Sequence, residues 1–224
     1  MTNEFEQLIV VNFKSYKEST GKNALILARA CEKVAQETKT NITIVPALLD
    51  LPHVRNHVKL SVFSQHLDPV EPGAYTGQIS AALLKDHNID GSLINHSEHP
   101  MPLQHIVAAV HLAQNHNLKT IVCAPTVAMI RDILSHCTPD YIAYEPPELI
   151  GGNISVTDAE PEIIEEAAAA CKSKNVPLLC GAGIKKPFDV KKAIDFGCSG
   201  ILIASGVVKA ANPEKALREL ASVS

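Results

Sequence analysis

The 224-residue chain contains no tryptophan, and aromatic residues make up only 4% of it, whereas hydrophobic residues of all kinds make up 46%. Its core must therefore consist mostly of Ile, Leu, Val and Ala. No apolar run approaches the ~20 residues that a helix needs to cross a membrane. Lys and Arg are spread thinly along a chain whose formal net charge is −4. These absences argue against a membrane protein and against a nucleic-acid-binding protein.

The six cysteines include no C-x-x-C pair. Several of them lie inside apolar runs, such as Cys123 in TIVCAP and Cys180 in PLLCGAG. This placement is typical of small buried hydrophobic residues in a reducing compartment. The first residues, MTNEFEQ, are acidic and polar, unlike those of a signal peptide. The sequence therefore predicts a cytoplasmic protein.

Short β-branched or apolar runs alternate with segments of helical periodicity along the whole chain. Most of these runs are apolar throughout, as expected for parallel strands that are covered on both faces. The predicted strands are 8–13, 42–46, 59–64, 91–95, 120–124, 141–144, 177–181 and 200–204. Because no linker interrupts the pattern, we predict one domain, residues 1–224, with an α/β fold: a closed (β/α)8 barrel of eight parallel strands and outer helices.

A doubly wound open sheet is the structural alternative. Such a sheet more often carries a Gly-rich dinucleotide turn after its first strand, and VNFKSY has none. Several helix starts are predicted as well. Their signals are Pro102, the capping-box pair Thr157 and Glu160 before a helix over 161–174, and Asn212 followed by Pro213.

In a barrel of this kind, chemistry collects at the carboxyl ends of the strands. Each residue found there has an ordinary structural explanation by itself, but together they would share one rim. They are Asn12 and Lys14 after strand one, His96, Ser97 and Glu98 after strand four, Glu145 after strand six, Gly181 and Gly183 after strand seven, and Ala204, Ser205 and Gly206 after strand eight.

The glycines of this rim favour a phosphate site. Gly181 and Gly183 allow backbone N–H groups to approach an anion closely. Ser205 and Gly206 offer further N–H donors at a predicted short helix start. We therefore expect a phosphate-bearing ligand at the ends of strands seven and eight.

The ionisable groups of the rim favour proton transfer. Lys14 supplies a point charge for an anion or oxyanion, His96 can polarise a carbonyl, and Glu145 can carry a proton. This combination is typical of proton abstraction beside a carbonyl in a small phosphorylated sugar, which needs no cofactor. A metal pair of His96 and His99 would need further ligands, and no partner motif is present, so no metal is expected.

Six segments resemble the triosephosphate isomerase family in its short archaeal form: VNFK, SQHLDPVEPGAYTG, NHSE, AYEPPELIGG, CGAGI and ILIASGVVKA. They stand in family order over residues 11–210. The resemblance implies a TIM barrel that interconverts dihydroxyacetone phosphate and D-glyceraldehyde 3-phosphate through an enediolate, in glycolysis and gluconeogenesis. It implies catalytic roles for Lys14, His96 and Glu145, and substrate binding by Asn12, Phe13, Lys14, Ile150, Gly183, Ala204 and Ser205.

The resemblance also implies how the site is completed. Glu98 would support Lys14, and a helix start within HSEHPMP would keep His96 neutral. A lid would follow Glu145, with a stiff hinge at Pro146 and Pro147, freedom near Gly151 and Gly152, and Ile150 as its cap. Thr76 would enter a neighbouring subunit near the catalytic lysine, which implies a homo-oligomer, either a dimer or a tetramer.

Two segments depart from the family pattern. His99 stands where an arginine commonly follows HSE, which replaces a permanent cation with a titratable ring. Lys186-Pro187-Phe188 occupies a position where relatives usually carry a Gly-Glu pair, a change expected to affect the next helix start. Two alternative functions remain at this point: a sister aldose–ketose isomerase for a four-carbon sugar phosphate, and a non-catalytic phosphate-binding protein.

Overall fold

A computed structural model describes residues 7–149, 155–159 and 161–223. Its parallel strands follow one another around a closed barrel in chain order, and β8 pairs with β1. The strands are β1 (Leu8–Asn12), β2 (Asn41–Val45), β3 (Ser61–Ser64), β4 (Gly91–Ile94), β5 (Lys119–Ala124), β6 (Tyr141–Tyr144), β7 (Leu178–Cys180) and β8 (Gly200–Ile203). The predicted (β/α)8 barrel is therefore confirmed.

Helices cover the outside of the barrel. Those in the described ranges are α1 (Lys22–Thr38), α2 (Leu51–Arg55), α3 (Ala81–Asp86), α4 (Leu103–Asn115), α5 (Val127–His136), α6 (Val156–Ala159), α7 (Pro161–Lys172), α8 (Pro187–Asp195), α9 (Ser205–Val208) and α10 (Pro213–Ala221). Two short 3-10 turns, Lys17–Ser19 and Pro147–Leu149, lie in the connections after β1 and β6. None of these helices is long and apolar enough to cross a bilayer.

The predicted element boundaries agree with the observed ones to within two residues. Asn212 caps α10, because its side-chain oxygen accepts a hydrogen bond from the N–H of Lys215 at 3.0 Å. Pro102 directly precedes α4, as predicted. The Thr157–Glu160 capping box lies partly outside the described residues. That residues 1–224 form a single domain stays a prediction, since both ends lie outside them too.

The strands are apolar throughout because they separate two apolar layers. Residues that point into the barrel form one cluster, and those that face the helices form a much larger one. The inner cluster contains Leu8, Val10, Val45, Phe63, Leu93, Ile121, Cys123, Ala143, Leu179 and Leu202. All six cysteines are buried and free, in agreement with their apolar surroundings in the sequence.

Closure of the barrel depends on a residue without a side chain at the start of β8. Gly200 stands opposite Leu8 in the register between β8 and β1. A Cβ atom at position 200 would collide with the carbonyl oxygen of Leu8 and would lie 2.8 Å from its carbonyl carbon. The backbone of β1 cannot move away without breaking the pairing that closes the sheet.

We therefore expect Gly200→Ala to lower the free energy of unfolding by about 2–3 kcal/mol. Urea unfolding at one fixed protein concentration measures this change. Gly73→Ala is the matched control, because a Cβ atom there would meet only the tip of the Tyr75 ring at 3.2 Å. The control should stay within about 0.5 kcal/mol of the parent chain. Equal stability of the two variants would contradict this view of barrel closure.

Candidate active site

The candidate residues from separate strands meet at one end of the barrel. Side chains from the ends of β1, β4, β6 and β8 and the loop after β7 line a single cleft. Of the residues selected from the sequence, those in the lining are Asn12, Lys14, His96, Glu145, Gly183, Ala204, Ser205 and Gly206. The predicted common rim is thus present in the fold.

Lys14 is held in an uncommon backbone conformation at the end of β1. Its φ is +50°, which is infrequent outside glycine, asparagine and aspartate. Its N–H donates to the side-chain oxygen of Asn12 at 3.0 Å, and its carbonyl accepts from the Gln65 side chain at 3.0 Å. The ammonium lies 2.7 Å from Glu98, so the predicted support of Lys14 by Glu98 is observed. The charge is fixed at the mouth of the barrel.

His96 is oriented by the tight turn that follows β4. The N–H of Glu98 donates to Nδ1 of His96 at 3.1 Å. Because an amide N–H can only donate, Nδ1 carries a lone pair, and the proton of the neutral imidazole resides on Nε2. No helix starts directly after Asn95, since residues 97 and 98 form a turn and α4 begins only at Leu103, with Pro102, the last residue of HSEHPMP, as its N-cap. A single backbone amide takes the place of that helix.

Asn95 fixes the start of the same turn. Its φ is +62°, a left-handed conformation that asparagine adopts more readily than most residues. Its amide nitrogen donates to the carbonyl of Cys123 at 2.9 Å, and its amide oxygen accepts from the N–H of Met101 at 2.8 Å. The turn that carries His96 is therefore tied both to β5 and to the approach to α4.

Glu145 directly follows β6, and its carboxylate is buried. Its Oε2 lies 3.7 Å from Nε2 of His96, and neither atom has a hydrogen-bond partner among the described residues. Burial raises the pKa of the Glu145 carboxyl, and this effect exceeds the opposite influences of His96, of the Cys123 thiol and of Lys14. Two buried polar atoms without partners, facing one cleft, are unfavourable unless a polar ligand enters.

The backbone beside Glu145 leaves room for its side chain. A Cβ atom on Gly181 would lie 3.1 Å from both Cγ and Oε1 of Glu145 and 2.9 Å from the carbonyl oxygen of Leu202. Glycine at this position therefore allows β7 to approach the carboxylate closely. This close approach to Glu145 explains why a glycine, Gly181, follows directly after β7.

The loops after β7 and β8 form the candidate phosphate cradle. Gly183 has a φ of +76°, and Ser205 begins the short helix α9, as expected from the sequence. One carboxylate oxygen of Asp189 accepts hydrogen bonds from the N–H groups of Lys185 and Lys186, each at 2.9 Å. This contact ties the loop after β7 to the first turn of α8, which begins at Pro187. Residues 186–188, which depart from the family pattern, thus form the start of α8, as expected.

Some predicted site residues lie elsewhere. Phe13 is fully buried in the outer apolar layer, and its side chain does not line the cleft. Ile150, Gly151 and Gly152 lie outside the described residues. Pro146 and Pro147 are described; Pro146 follows Glu145, and Pro147 begins the 3-10 turn that comes next.

Two contributors were missed at the level of sequence. Gln65 follows β3 and holds the β1 turn, and its position at a strand end was a sufficient signal for it. The sequence indicates a small core residue at Cys123, although its thiol influences the pKa of the Glu145 carboxyl. No signal in the sequence indicated that influence.

The departure at His99 has a clear structural result. Its ring stacks on that of His66, with centroids 3.9 Å apart and planes inclined by 11°. Within the described ranges, no group of three or more His, Cys, Asp or Glu side chains is arranged to hold a metal ion.

Comparisons with known proteins agree with this geometry. The family model described as triosephosphate isomerase matches residues 7–221. The protein named triosephosphate isomerase from Methanocaldococcus jannaschii is 46% identical over 215 residues, 95% of this chain and 98% of that protein. Proteins of the same name from Methanothermus fervidus and Methanobrevibacter smithii are 44% and 41% identical, over 95% and 96% of this chain and 96% and 97% of their own lengths.

The raised pKa of Glu145 predicts a pH-dependent stability effect. A carboxyl whose pKa is higher in the folded than in the unfolded chain disfavours folding once the unfolded chain ionises it, and the penalty grows from the unfolded pKa up to the folded pKa and stays constant above it. We therefore expect Glu145→Gln to have a higher free energy of unfolding than the parent chain at neutral pH. The advantage should disappear towards about pH 4, near the ordinary pKa of glutamate.

Urea unfolding across this pH range measures the difference. Glu98→Gln provides the contrast, because it leaves the ammonium of Lys14 without its carboxylate partner and should not stabilise the chain. A less stable Glu145→Gln protein at neutral pH would be evidence against a buried, destabilising carboxylate.

Proposed function

Because the chain belongs to the triosephosphate isomerase family, we propose that it interconverts dihydroxyacetone phosphate and D-glyceraldehyde 3-phosphate, a step of glycolysis and gluconeogenesis. The observation that carries the proposal is the pair of unpartnered buried atoms, Nε2 of His96 and Oε2 of Glu145, 3.7 Å apart beside Lys14. A hydroxyketone bound between them would give each atom a partner.

Glu145 is proposed to act as the base. Its carboxylate removes a proton from one carbon of the substrate and returns it to the neighbouring carbon. Burial in an apolar setting makes the carboxylate a stronger base than it would be in water, because burial raises the pKa. Gly181 and Cys123 border the carboxylate and limit its movement.

His96 and Lys14 are proposed to stabilise the enediolate. With Nδ1 accepting from the N–H of Glu98, the imidazole presents Nε2–H to the substrate oxygen on which negative charge develops. The ammonium of Lys14 adds a fixed positive charge on the same side. Donors that are already oriented towards developing charge usually contribute most in sites of this type. Proton transfer by these groups needs no cofactor or metal.

The phosphate group is proposed to bind at the backbone of the loops after β7 and β8. Gly183, Ser205 and Gly206 bring N–H groups to that side of the cleft, and Ala204 borders it. A Cβ atom on Gly206 would lie 2.9 Å from the carbonyl oxygen of Ile184, so the two loops approach closely there. The phosphate would thereby hold the reacting carbons against Glu145.

A lid after Glu145 remains part of the proposal. Pro146 and Pro147 restrict the backbone directly beside the carboxylate. Ile150, Gly151 and Gly152, to which the resemblance assigns the cap and the second hinge, lie outside the described residues. A closed lid would exclude water from the enediolate.

We further infer a homo-oligomer that forms through the loop around Thr76. Residues 71–78 are all exposed, and Tyr75 keeps half of its surface accessible. A cavity of about 490 Å³ lies beside Lys14. Leu48 borders that cavity, and the adjacent Leu49 is 95% exposed. The loop of one copy is proposed to fill the cavity of another. Six free buried thiols support a cytoplasmic location for the assembly.

Isomerase activity tests the proposal directly. The purified chain should convert dihydroxyacetone phosphate, and Glu145→Gln should lower kcat by about 10³-fold, since the base is lost while the carboxamide keeps the shape. Circular dichroism checks that folding is intact. Glu162→Gln, on the exposed face of α7, is the matched control and should retain full turnover.

Two outcomes would redirect the assignment. A higher kcat/KM on a four-carbon ketose phosphate would favour the sister isomerase. Binding of triose phosphate without turnover by the parent chain would favour a phosphate-binding protein.

The assembly has its own test. Thr76→Arg would bring a second cation next to Lys14 in the proposed interface, so repulsion should separate the subunits. Light scattering should then give the 24.1 kDa mass of one chain, whereas the parent chain should give at least twice that value. Ser222→Arg, beyond the end of α10, is the control and should leave the mass unchanged. A parent chain of monomeric mass would refute the interface.

A further inference from the structure

His66 forms a fixed platform after β3. Its carbonyl accepts a hydrogen bond from the Ser64 hydroxyl at 2.8 Å, and its Nε2 lies 3.1 Å from a carboxylate oxygen of Asp68. Because that carboxylate can only accept, Nε2–H of His66 is the donor. The other oxygen of Asp68 accepts from the N–H of Ile79 at 2.7 Å. The ring of His66 is therefore anchored to both ends of the loop that follows β3.

His99 connects this platform to the turn that carries His96. The N–H of His99 donates to the carbonyl of His96 at 2.7 Å. Its ring lies on the ring of His66 in a nearly parallel stack, 3.9 Å between centroids. Pro100 follows directly and has no N–H to donate. The stack thus joins the loop after β3 to the turn whose other amide, from Glu98, orients the imidazole of His96.

We propose that the stacked rings of His66 and His99 position the His96 turn, and that the stack opens when both rings are protonated. His66 and His99 are then positioning residues for the isomerisation, and their loss lowers kcat through His96. The inference rests on the proposed isomerase activity for its kinetic readout, but the stack itself is testable without turnover.

The charges around the pair give the direction of the pH effect. Burial lowers the pKa of His66, the hydrogen bond to Asp68 opposes this, and a positive charge on His99 lowers the pKa further. When both rings carry a proton, two parallel cations at van der Waals distance repel each other. Acid therefore opens the stack, and neutral pH keeps it closed.

Groups from three loops of the same chain face the pair around the cavity that the loop of a second copy is proposed to fill. They are Asp68 from the loop after β3, His96 and Glu98 from the turn after β4, and Lys14 from the turn after β1. Asp68 bonds to His66, whereas Glu98 is engaged by Lys14, so the carboxylate of Glu98 is already paired. A proton on the ring of His99 therefore has no unpaired carboxylate among these groups to balance its charge.

Variants at position 99 separate stacking from titration. His99→Phe keeps a planar ring on His66 but cannot be protonated, so kcat at neutral pH should stay within about twofold. Its half-maximal kcat should lie at a lower pH than in the parent chain. His99→Ala removes the ring, and a displaced His96 should lower kcat by about tenfold with little change in KM, because small misplacements of reacting groups are costly.

The exposed pair His53 and His57 supplies a matched control. These rings are 4.5 Å apart but tilted by 48°; His53 lies on α2 and His57 in the turn that follows it. His57→Phe should leave both kcat and its pH profile unchanged. Titration of the Glu145 carboxyl and of the substrate phosphate is common to all the variants, so it cancels in the comparison.

A ¹³C-histidine NMR titration provides a readout that does not depend on activity. The midpoint of His66 should move to higher pH in His99→Phe, because a neighbouring positive charge is removed. An unchanged midpoint, or equal kcat profiles for the Phe and Ala variants, would overturn the proposal. A parent chain without isomerase activity would sink the proposed function instead, and the NMR titration would still decide whether the two rings are coupled.

Discussion

The pairing of β8 with β1 is the constraint on which the site depends. A parallel sheet that closes on itself brings every strand's carboxyl end to the same rim. Lys14 and Glu98, 84 residues apart in the chain, meet there at 2.7 Å. The closure tolerates no side chain where Gly200 faces Leu8. The arrangement of the site residues at the rim therefore depends in part on Gly200, which lies at the opposite end of β8.

Within that frame, the site balances desolvation against neighbouring charge. Burial disfavours the ionised form of Glu145, while His96 and Lys14 favour it. The same burial leaves the facing atoms of Glu145 and His96 without protein partners. Stability is given up where a ligand binds, which is common at functional sites.

The elements that could be predicted from the sequence are those with a local physical cause. Strands covered on both faces are apolar throughout, and Pro102, Asn212 and Pro213 mark helix starts by their own backbone and capping chemistry. The rim residues could be predicted from the strands, because the carboxyl ends of parallel strands all lie at the same rim of a barrel. Even the unassigned Gln65 obeys that rule.

What could not be predicted depends on the approach of separate loops. The amide of Glu98 that donates to His96, in place of a helix, follows from a turn held by Asn95. The stack of His66 and His99 requires the loops after β3 and β4 to meet at 3.9 Å. The periodicity of a sequence carries no information on such contacts, and the apolar motif TIVCAP does not indicate that the Cys123 thiol influences the pKa of Glu145.

The separation of the core into two clusters has a consequence for divergence within the family. Side chains inside the barrel and those under the helices form two separate apolar clusters, and the strands lie between them. Helices such as α2, with five residues, can therefore shorten while the strand ends keep their spacing. A change in a helix far from the rim therefore leaves the strand ends in place, whereas a change in α8 or α9 reaches the cleft through the loops after β7 and β8.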